Sequence, residues 1–310
     1  MVSPPRRRGA VRHLQREGLR SQRRACALVG VSRSSLNYQP RRRPDETALR
    51  ARIKQWVKAK GYYGYRQVWA ELRREGWAVN HKRVHRIWKA EGLWLPRKSG
   101  RKRSYGPKGE IEQRATHPDH VWTYDLCYDR TERGGQLRLL SVVDEYTREC
   151  LAIEVARSLG AEQVIETLKW LALTRGTPEH IRSDNGPEFI AQAVRGWLEQ
   201  AGCQTILITP GSPWENPYVE SFTGKLRVEC LNREIFADLE EAQVVIEAWR
   251  HDYNTQRPHS SLNYLTPVEF ARQAAQASRE EAEAARSGGC GRATPSLRPQ
   301  SAREAATLSL

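Results

Sequence analysis

Between residues 121 and 217 the apolar pattern changes period repeatedly, and that succession restricts the fold more than any other feature of the chain. Residues 121–128 (VWTYDLCY) alternate as a strand does, 137–143 form a buried-strand run, and 151–155 form a third. Residues 161–175 then follow a helical period, 180–183 make a short strand ending before Asp184, and 187–201 are helical again. A last strand at 204–209 leads through the loop PGSPWEN to a long helix from about Pro217. Three adjoining strands followed by alternating helices and strands predict an α/β fold, a mixed five-stranded sheet flanked by helices.

The remainder of the chain differs in charge. Residues 1–116 hold 31 Lys+Arg against 8 Asp+Glu, a net of +23, whereas residues 117–310 hold 20 against 28, a net of −8. So basic a half points to nucleic acid, with an anionic membrane surface or a solubilising face as the alternatives. No apolar run is long enough to span a membrane, and Arg6, Arg7 and Arg8 stand where a secretory signal would need apolar residues. The 6 cysteines include no Cys-x-x-Cys pair, which argues for reduced thiols in a cytosolic compartment and against a structural zinc knuckle. His81 and His85 are one helical turn apart, yet without paired cysteines they read as side chains of a DNA-facing or solvated helix.

Two helical modules are expected in the basic half. In residues 1–44, the stretch SQRRACALVGVSRSSLNY reads as helix, tight turn, helix, with Ser21 and Ser32 as caps and Cys26 and Gly30 as the small residues where two helices approach. Arg33, Ser34, Ser35 and Asn37 would lie on the second helix, able to reach base edges or phosphates; an ordinary helical hairpin has the same pattern. Residues 45–95 carry three helix patterns, with Leu49, Ile53, Trp56 and Val57, then Val68, Trp69 and Leu72, then Val84, Ile87 and Trp88 facing inward. Arg66, Lys82, Arg83, Arg86 and Lys89 lie off those stripes and propose a second DNA-binding surface. Residues 96–116, with seven basic residues against two acidic, read as a cationic linker, and 273–310, rich in Ala, Ser, Glu and Arg, as a disordered tail.

Chemistry falls to carboxylates in residues 117–272. Asp125 occupies the middle of the first strand, an expensive place for a charge unless something compensates it. Asp184 follows the fourth strand at a turn made by Asn185 and Gly186, and open sheets bind ligands at strand carboxyl ends. Glu220, 35 intervening residues later, falls in the first turn of a helix that Asn216 can cap and Pro217 can open, with Arg227 two turns on and Lys225 nearby. A dipole-stabilised carboxylate on a solvated helix would look the same. Carboxylates clustered without Cys or His suit magnesium or manganese, and a pair of such ions supports in-line phosphoryl transfer. Asp129, Asp144, Glu145, Glu188 and Glu215 are further carboxylates that spacing alone does not exclude.

The segments VWTYDLCY, RSDNGPEF, NPYVESFTGKLRVE and YNTQRPHSSLNYLTPVEF resemble the catalytic core of integrase-type transposases and retroviral integrases. YGYRQVWAELRREGWAVNHKRVHRIWKAEGL resembles the helix-turn-helix region preceding that core in OrfB products of the IS-three family of bacterial insertion sequences, and SQRRACALVGVSRSSLNY the start of such a product. The resemblance covers roughly residues 20–272, and the chain lacks the paired His and Cys zinc domain of the retroviral proteins. It implies an RNase H-like integrase core with Asp125, Asp184 and Glu220 as an acidic triad holding two Mg2+, or Mn2+ in their place. Arg227, and less closely Lys225, match the basic position that contacts DNA, and Asp144 matches a strand aspartate outside the triad. The implied protein is a nucleoid-associated transposase that binds the inverted-repeat ends of its element, cuts them and joins them to target DNA, as a homo-oligomer and in some members fused to an OrfA product. A repressor or inactivated copy that binds without catalysis is the alternative, and a plain nuclease a third reading.

Overall fold

The computed structural model describes residues 4–38, 44–95, 113–183, 188–208 and 216–287. It packs as two units, divided between Ala59 and Lys60. The first holds α1 (Pro4–Arg16), α2 (Gln22–Val29), α3 (Arg33–Asn37) and α4 (Glu46–Ala59). Val11 of α1, Ala25 and Cys26 of α2 and Leu36 of α3 close a small apolar core. The turn between α2 and α3 needs a left-handed residue, and Gly30, at φ 66°, supplies it. Ser32 accepts a hydrogen bond from the Ser35 amide at 3.1 Å and caps α3 as expected, whereas the Ser21 side chain makes no cap bond on α2.

The second unit opens with α5 (Tyr65–Arg74) and α6 (His81–Ala90), and Asn80 caps α6 through the Lys82 amide at 2.8 Å. His85 rests on the ring of Tyr65 and His81 on that of Trp69. The division after Ala59 falls inside the 45–95 module expected from sequence. Its cause is long-range: Lys60 pairs with Asp252 at 2.7 Å, Arg74 with Glu269 and the Tyr264 carbonyl, and Trp69 packs edge-on against Tyr264. These contacts tie α5 to elements nearly 200 residues away, which no local pattern reveals.

The sheet comprises β1 (Val121–Arg130), β2 (Gln136–Asp144), β3 (Cys150–Ala156), β4 (His180–Ser183) and β5 (Gln204–Leu207), in the order β3-β2-β1-β4-β5. β1 to β3 form an antiparallel meander, and β4 and β5 add in parallel after the crossover helices α7 (Ala161–Arg175) and α8 (Glu188–Gln200). Alternating side chains face two layers. Trp122, Tyr124, Leu140, Val142 and Ile181 meet α7 and α8 through Val164, Leu168, Leu171, Val194 and Leu198. Cys127, Leu137, Leu139, Val143 and Val155 meet α9 (Pro217–Leu226), the π-helical turn Arg227–Leu231 and α10 (Leu239–Thr255) through Phe222, Leu226, Leu231, Ile246 and Trp249. A short 3-10 turn at Ser260–Leu262 leads to α11 (Pro267–Ser287). α11 corrects the disordered tail for residues 273–287: a stretch of Ala, Glu, Gln and Arg favours helix, and Gln276 bonds Glu280 one turn on. Residues 288–310 lie outside the described residues.

Glu71, buried on α5, carries a testable cost. Loss of solvation pushes its carboxyl up from 4.5 to about 7; Arg74 opposes the rise, and Glu75, Glu269 and Asp252 add to it. The folded state therefore binds this proton more tightly than the unfolded chain, and its contribution to stability falls as pH rises from 4.5 to about 7. Glu71→Gln is expected to raise the melting temperature by roughly 2–4 °C near pH 8 and by nothing near pH 4. An equal shift at both pH values would assign the effect to packing instead.

Candidate active site

Thr123, Asp125 and Cys127 share the β1 face that looks toward α9 and α10. Asp125 is half-buried and stands opposite Ser141 of β2, whose buried hydroxyl has no hydrogen-bond partner among the described residues. Two side-chain bonds lay α9 along this face. Thr123 Oγ1 donates to Asn216 Oδ1 at 2.7 Å, and Thr223 Oγ1 donates to Asp125 Oδ2 at 3.3 Å. Asn216 thus occupies the N-cap position without capping. Its side chain turns instead to a fully buried hydroxyl that would otherwise lack an acceptor.

Glu220 follows Asn216 by four residues and precedes Thr223 by three, so it shares the helix face that those bonds turn toward β1. It is exposed. Asp125 and Glu220 therefore border one solvent-accessible surface, with Thr223 between them. Val219, Phe222 and Leu226 form the buried flank of α9 beside that face, where Phe222 and Leu226 join the sheet core and Phe222 packs on Tyr253 and Trp249. The Arg148 guanidinium covers the Tyr218 ring at 3.7 Å, and in the following π turn Glu229 receives Arg257 through two bonds of 2.7 and 2.5 Å.

Asp184 lies outside the described residues. The strand before it ends at Ser183, and β4 is the parallel neighbour of β1, with Arg182 beside Thr123. The condition under which the first two carboxylates would converge, adjacency of their strands, is met. Two competing carboxylates are accounted for otherwise. Asp144 is fully buried and accepts from the amides of Tyr146 and Thr147 and from the Thr147 hydroxyl, closing the turn into β3. Glu145 is buried against Arg182 at 2.7 Å, and Arg182 also bonds the Gln113 carbonyl. Asp129 sits near the far end of β1, half-buried. Glu215 and the side chain of Glu188 lie outside the described residues.

The residues expected to meet DNA are dispersed. Arg33 and Ser34 are exposed on α3 in the first unit, where Ser34 shares a hydroxyl contact with Ser32 at 3.0 Å. In the second, Arg66 is exposed and bonds the Tyr65 hydroxyl, Lys82 and Arg86 are exposed on α6, and Arg83 is half-buried. Arg227 is exposed at the end of α9, two turns from Glu220 on the same face. Lys225 is not on that face. It bonds Ser221 at 2.9 Å and lies near His259, whose ring burial, with Arg257 and Lys225 adding to it, holds neutral with a pKa lowered to about 2. The sequence reasoning missed Thr123, Thr223, Glu229 and Arg257, whose roles arise from contacts across the fold; the i,i+3 placement of Thr223 after Glu220 was the one local signal.

Comparison with known proteins agrees with this architecture. The integrase core domain family matches residues 115–213, a second integrase core domain model matches 201–267, and an HTH-like domain matches 44–102. The chain is 42% identical over 253 residues to an uncharacterised 31.7 kDa protein of insertion element IS407 from Burkholderia multivorans, covering 81% of this chain and 90% of that one. It is 28% identical over 253 residues to transposase InsF of insertion sequence IS3A from Escherichia coli, covering 77% and 85%. The catalytic core domain of BIV integrase aligns at 20% identity with a TM-score of 0.39, over 52% of this chain and 99% of that one. The fold is a helical region followed by an integrase core with a mixed five-stranded sheet, and the chain belongs to the IS-three family of insertion-element transposases.

Proposed function

We propose that this transposase binds the inverted-repeat ends of its element, cuts one strand at each end and transfers the freed 3'-hydroxyl to target DNA. The observation that carries the reading is the surface shared by Asp125 and Glu220, laid out by the Thr223 and Asn216 hydrogen bonds in a member of this family. Asp184 completes the triad on sequence adjacency, being next after the last described residue of a strand paired with β1.

The donors suit a hard divalent cation: the two described carboxylates are solvent-accessible and Thr223 adds a hydroxyl, while the nearby Cys127 thiol is buried in the core with its pKa raised by loss of solvation. Asp125, Asp184 and Glu220 would hold two magnesium ions, with manganese as substitute, which when bound activate the attacking oxygen and neutralise the leaving one. The chain's own residues do the positioning. Thr223 donates to one oxygen of Asp125 and fixes its rotamer. The buried side of α9 keeps Glu220 toward β1. Arg227, on the Glu220 face, would meet the phosphate backbone beside the scissile bond. Basic and polar residues of 1–95, among them Arg33, Ser34, Arg66, Lys82, Arg83 and Arg86, would grip the ends, and the cationic stretch 96–116 would lie along the duplex.

A multimer holding two ends together, an OrfA product as a partner and a place on the nucleoid complete the proposal. Among the described residues, no helix is long and apolar enough to cross a membrane. The test is a strand-transfer assay with labelled element ends, target plasmid and Mg2+. Joined product is expected; end binding without cleavage would support a repressor, and cleavage without joining a nuclease. Replacing Arg83 and Arg86 by Gln is expected to weaken end binding and reduce the slope of log K against log salt by about one unit for each phosphate that is no longer neutralised. An unchanged slope would remove this helix from the interface.

A further inference from the structure

We propose that His117, His120 and Glu179 form a site for one transition-metal ion of the zinc class, separate from the carboxylate surface, that fastens the segment entering β1 to the start of β4. The three residues offer ligand atoms that all lie within 4.8 Å of one another. Glu179 Oε1 is 3.2 Å from His117 Nε2, and Glu179 Oε2 is 3.6 Å from His120 Nε2. Ligands around a tetrahedral zinc at its usual bond lengths stand about 3.4 Å apart, close to these separations, and a turn of one of the stacked rings would bring both Nε2 lone pairs onto the ion.

Hydrogen bonding at the far side of the His117 ring favours a cation in the middle. His117 Nδ1 is 3.0 Å from the Pro118 carbonyl, an acceptor only, so that nitrogen carries the proton. In the singly protonated tautomer with the proton on Nδ1, the bare lone pair of Nε2 faces a carboxylate oxygen. Two acceptors face each other, and a cation between them reconciles the contact. His120 Nδ1 meets both the amide and the hydroxyl of Thr116, at 3.1 and 3.2 Å. Without metal the amide donates to Nδ1 and the ring proton sits on Nε2. Ligation through Nε2 moves that one proton to Nδ1, where Thr116 Oγ1 accepts it while the Thr116 amide gives up its bond to the ring; such a second-sphere bond is of the sort that fixes metal-binding histidines.

The ligands stand on firm supports. The two histidine rings stack at 4.7 Å, and His180 packs edge-on against His120 at 5.2 Å. The His180 amide bonds the His120 carbonyl, and the Gln204 amide bonds the Glu179 carbonyl, so both ligand-bearing stretches are already joined to the sheet. The site lies at the amino-terminal edge of the parallel pair. Asp125 is five residues further along β1, roughly 17 Å by strand rise, and two imidazoles with one carboxylate select zinc, nickel or copper over magnesium. His117 and Glu179 are about half exposed, which leaves a coordination position open to water.

The experiment is equilibrium dialysis of the full chain against Zn2+ in excess Mg2+, with Co2+ absorption as the spectroscopic reading. One equivalent of Zn2+ and the visible bands of four-coordinate Co2+ are expected for the native chain and for Asp125→Asn with Glu220→Gln. His117→Ala and Glu179→Gln should each weaken Zn2+ binding by about 100-fold or more and abolish the bands, with melting of the metal-free proteins unchanged because both side chains are exposed. Retention of Zn2+ by both single variants, or its loss from the carboxylate variant, would overturn the assignment. So would the absence of stoichiometric Zn2+ from the native chain.

Discussion

Replacing Asp125 by Asn is expected to reduce strand cleavage and joining by at least about a thousandfold, the equivalent of several kcal/mol of lost charge stabilisation. End binding should stay nearly intact. The substitution keeps shape and preserves an oxygen to accept the Thr223 hydroxyl, so α9 remains docked and the change reports on charge alone. Glu220→Gln should give the same loss, since Glu220 is exposed and contributes nothing to packing. Asp184→Asn should match both if the three act as one unit, because removing any member of such a set costs about as much as removing all. The measurement is the strand-transfer assay beside a gel-shift titration with the same ends. A variant that loses binding and activity equally would mark its carboxylate as structural.

The second large effect is expected at Arg257. Its guanidinium and the Glu229 carboxylate form a paired contact in which both side chains are at least nine-tenths buried. Arg257→Met strands Glu229 in the interior and should cost about 3–5 kcal/mol, as breaking a buried pair does. Adding Glu229→Gln to it should recover much of that stability, because the double variant leaves no buried charge unpaired. Activity should recover less than stability. The pair anchors the π turn that continues α9, and π-helical turns recur at functional sites because they set the direction of what adjoins them. Thermal melts and strand transfer measured on both variants decide it; full recovery of both together would leave the pair a role in stability alone.

Much of the core could be read from sequence because its signals are local. Gly160 and Gly176 bracket α7, and β4 is a four-residue run between a helix and a turn; residues 161–175 and 180–183 are found as expected. Asp125 could be singled out because an ionisable group in the middle of a strand demands a reason. What could not be read depends on distance in the chain. Asn216 looks like a cap, and only the fold brings a buried Thr123 hydroxyl to compete for it. Lys225 and Arg227 look equivalent beside Glu220, yet helical phase separates them, and Lys225 bonds Ser221 instead. The unit boundary at Ala59 and the Arg257–Glu229 pair likewise rest on partners tens to hundreds of residues apart. Residues 273–287 fold against expectation because the same composition suits both a solvated coil and an exposed helix.

The central position of β1 gives the two described carboxylates unequal durability. β1 is paired with β2 along nearly its whole length and with β4 at residues 121–123, so Asp125 is held by the sheet itself. Glu220 depends on a helix laid on that strand by two side-chain bonds and one buried face. Opening α9 alone exposes far less surface than unfolding the sheet, and local openings of that kind have lower free energies. Undocking of this one helix would part Glu220 from Asp125 while the sheet stayed intact, so the pairing of the two carboxylates is only as durable as the seat of α9.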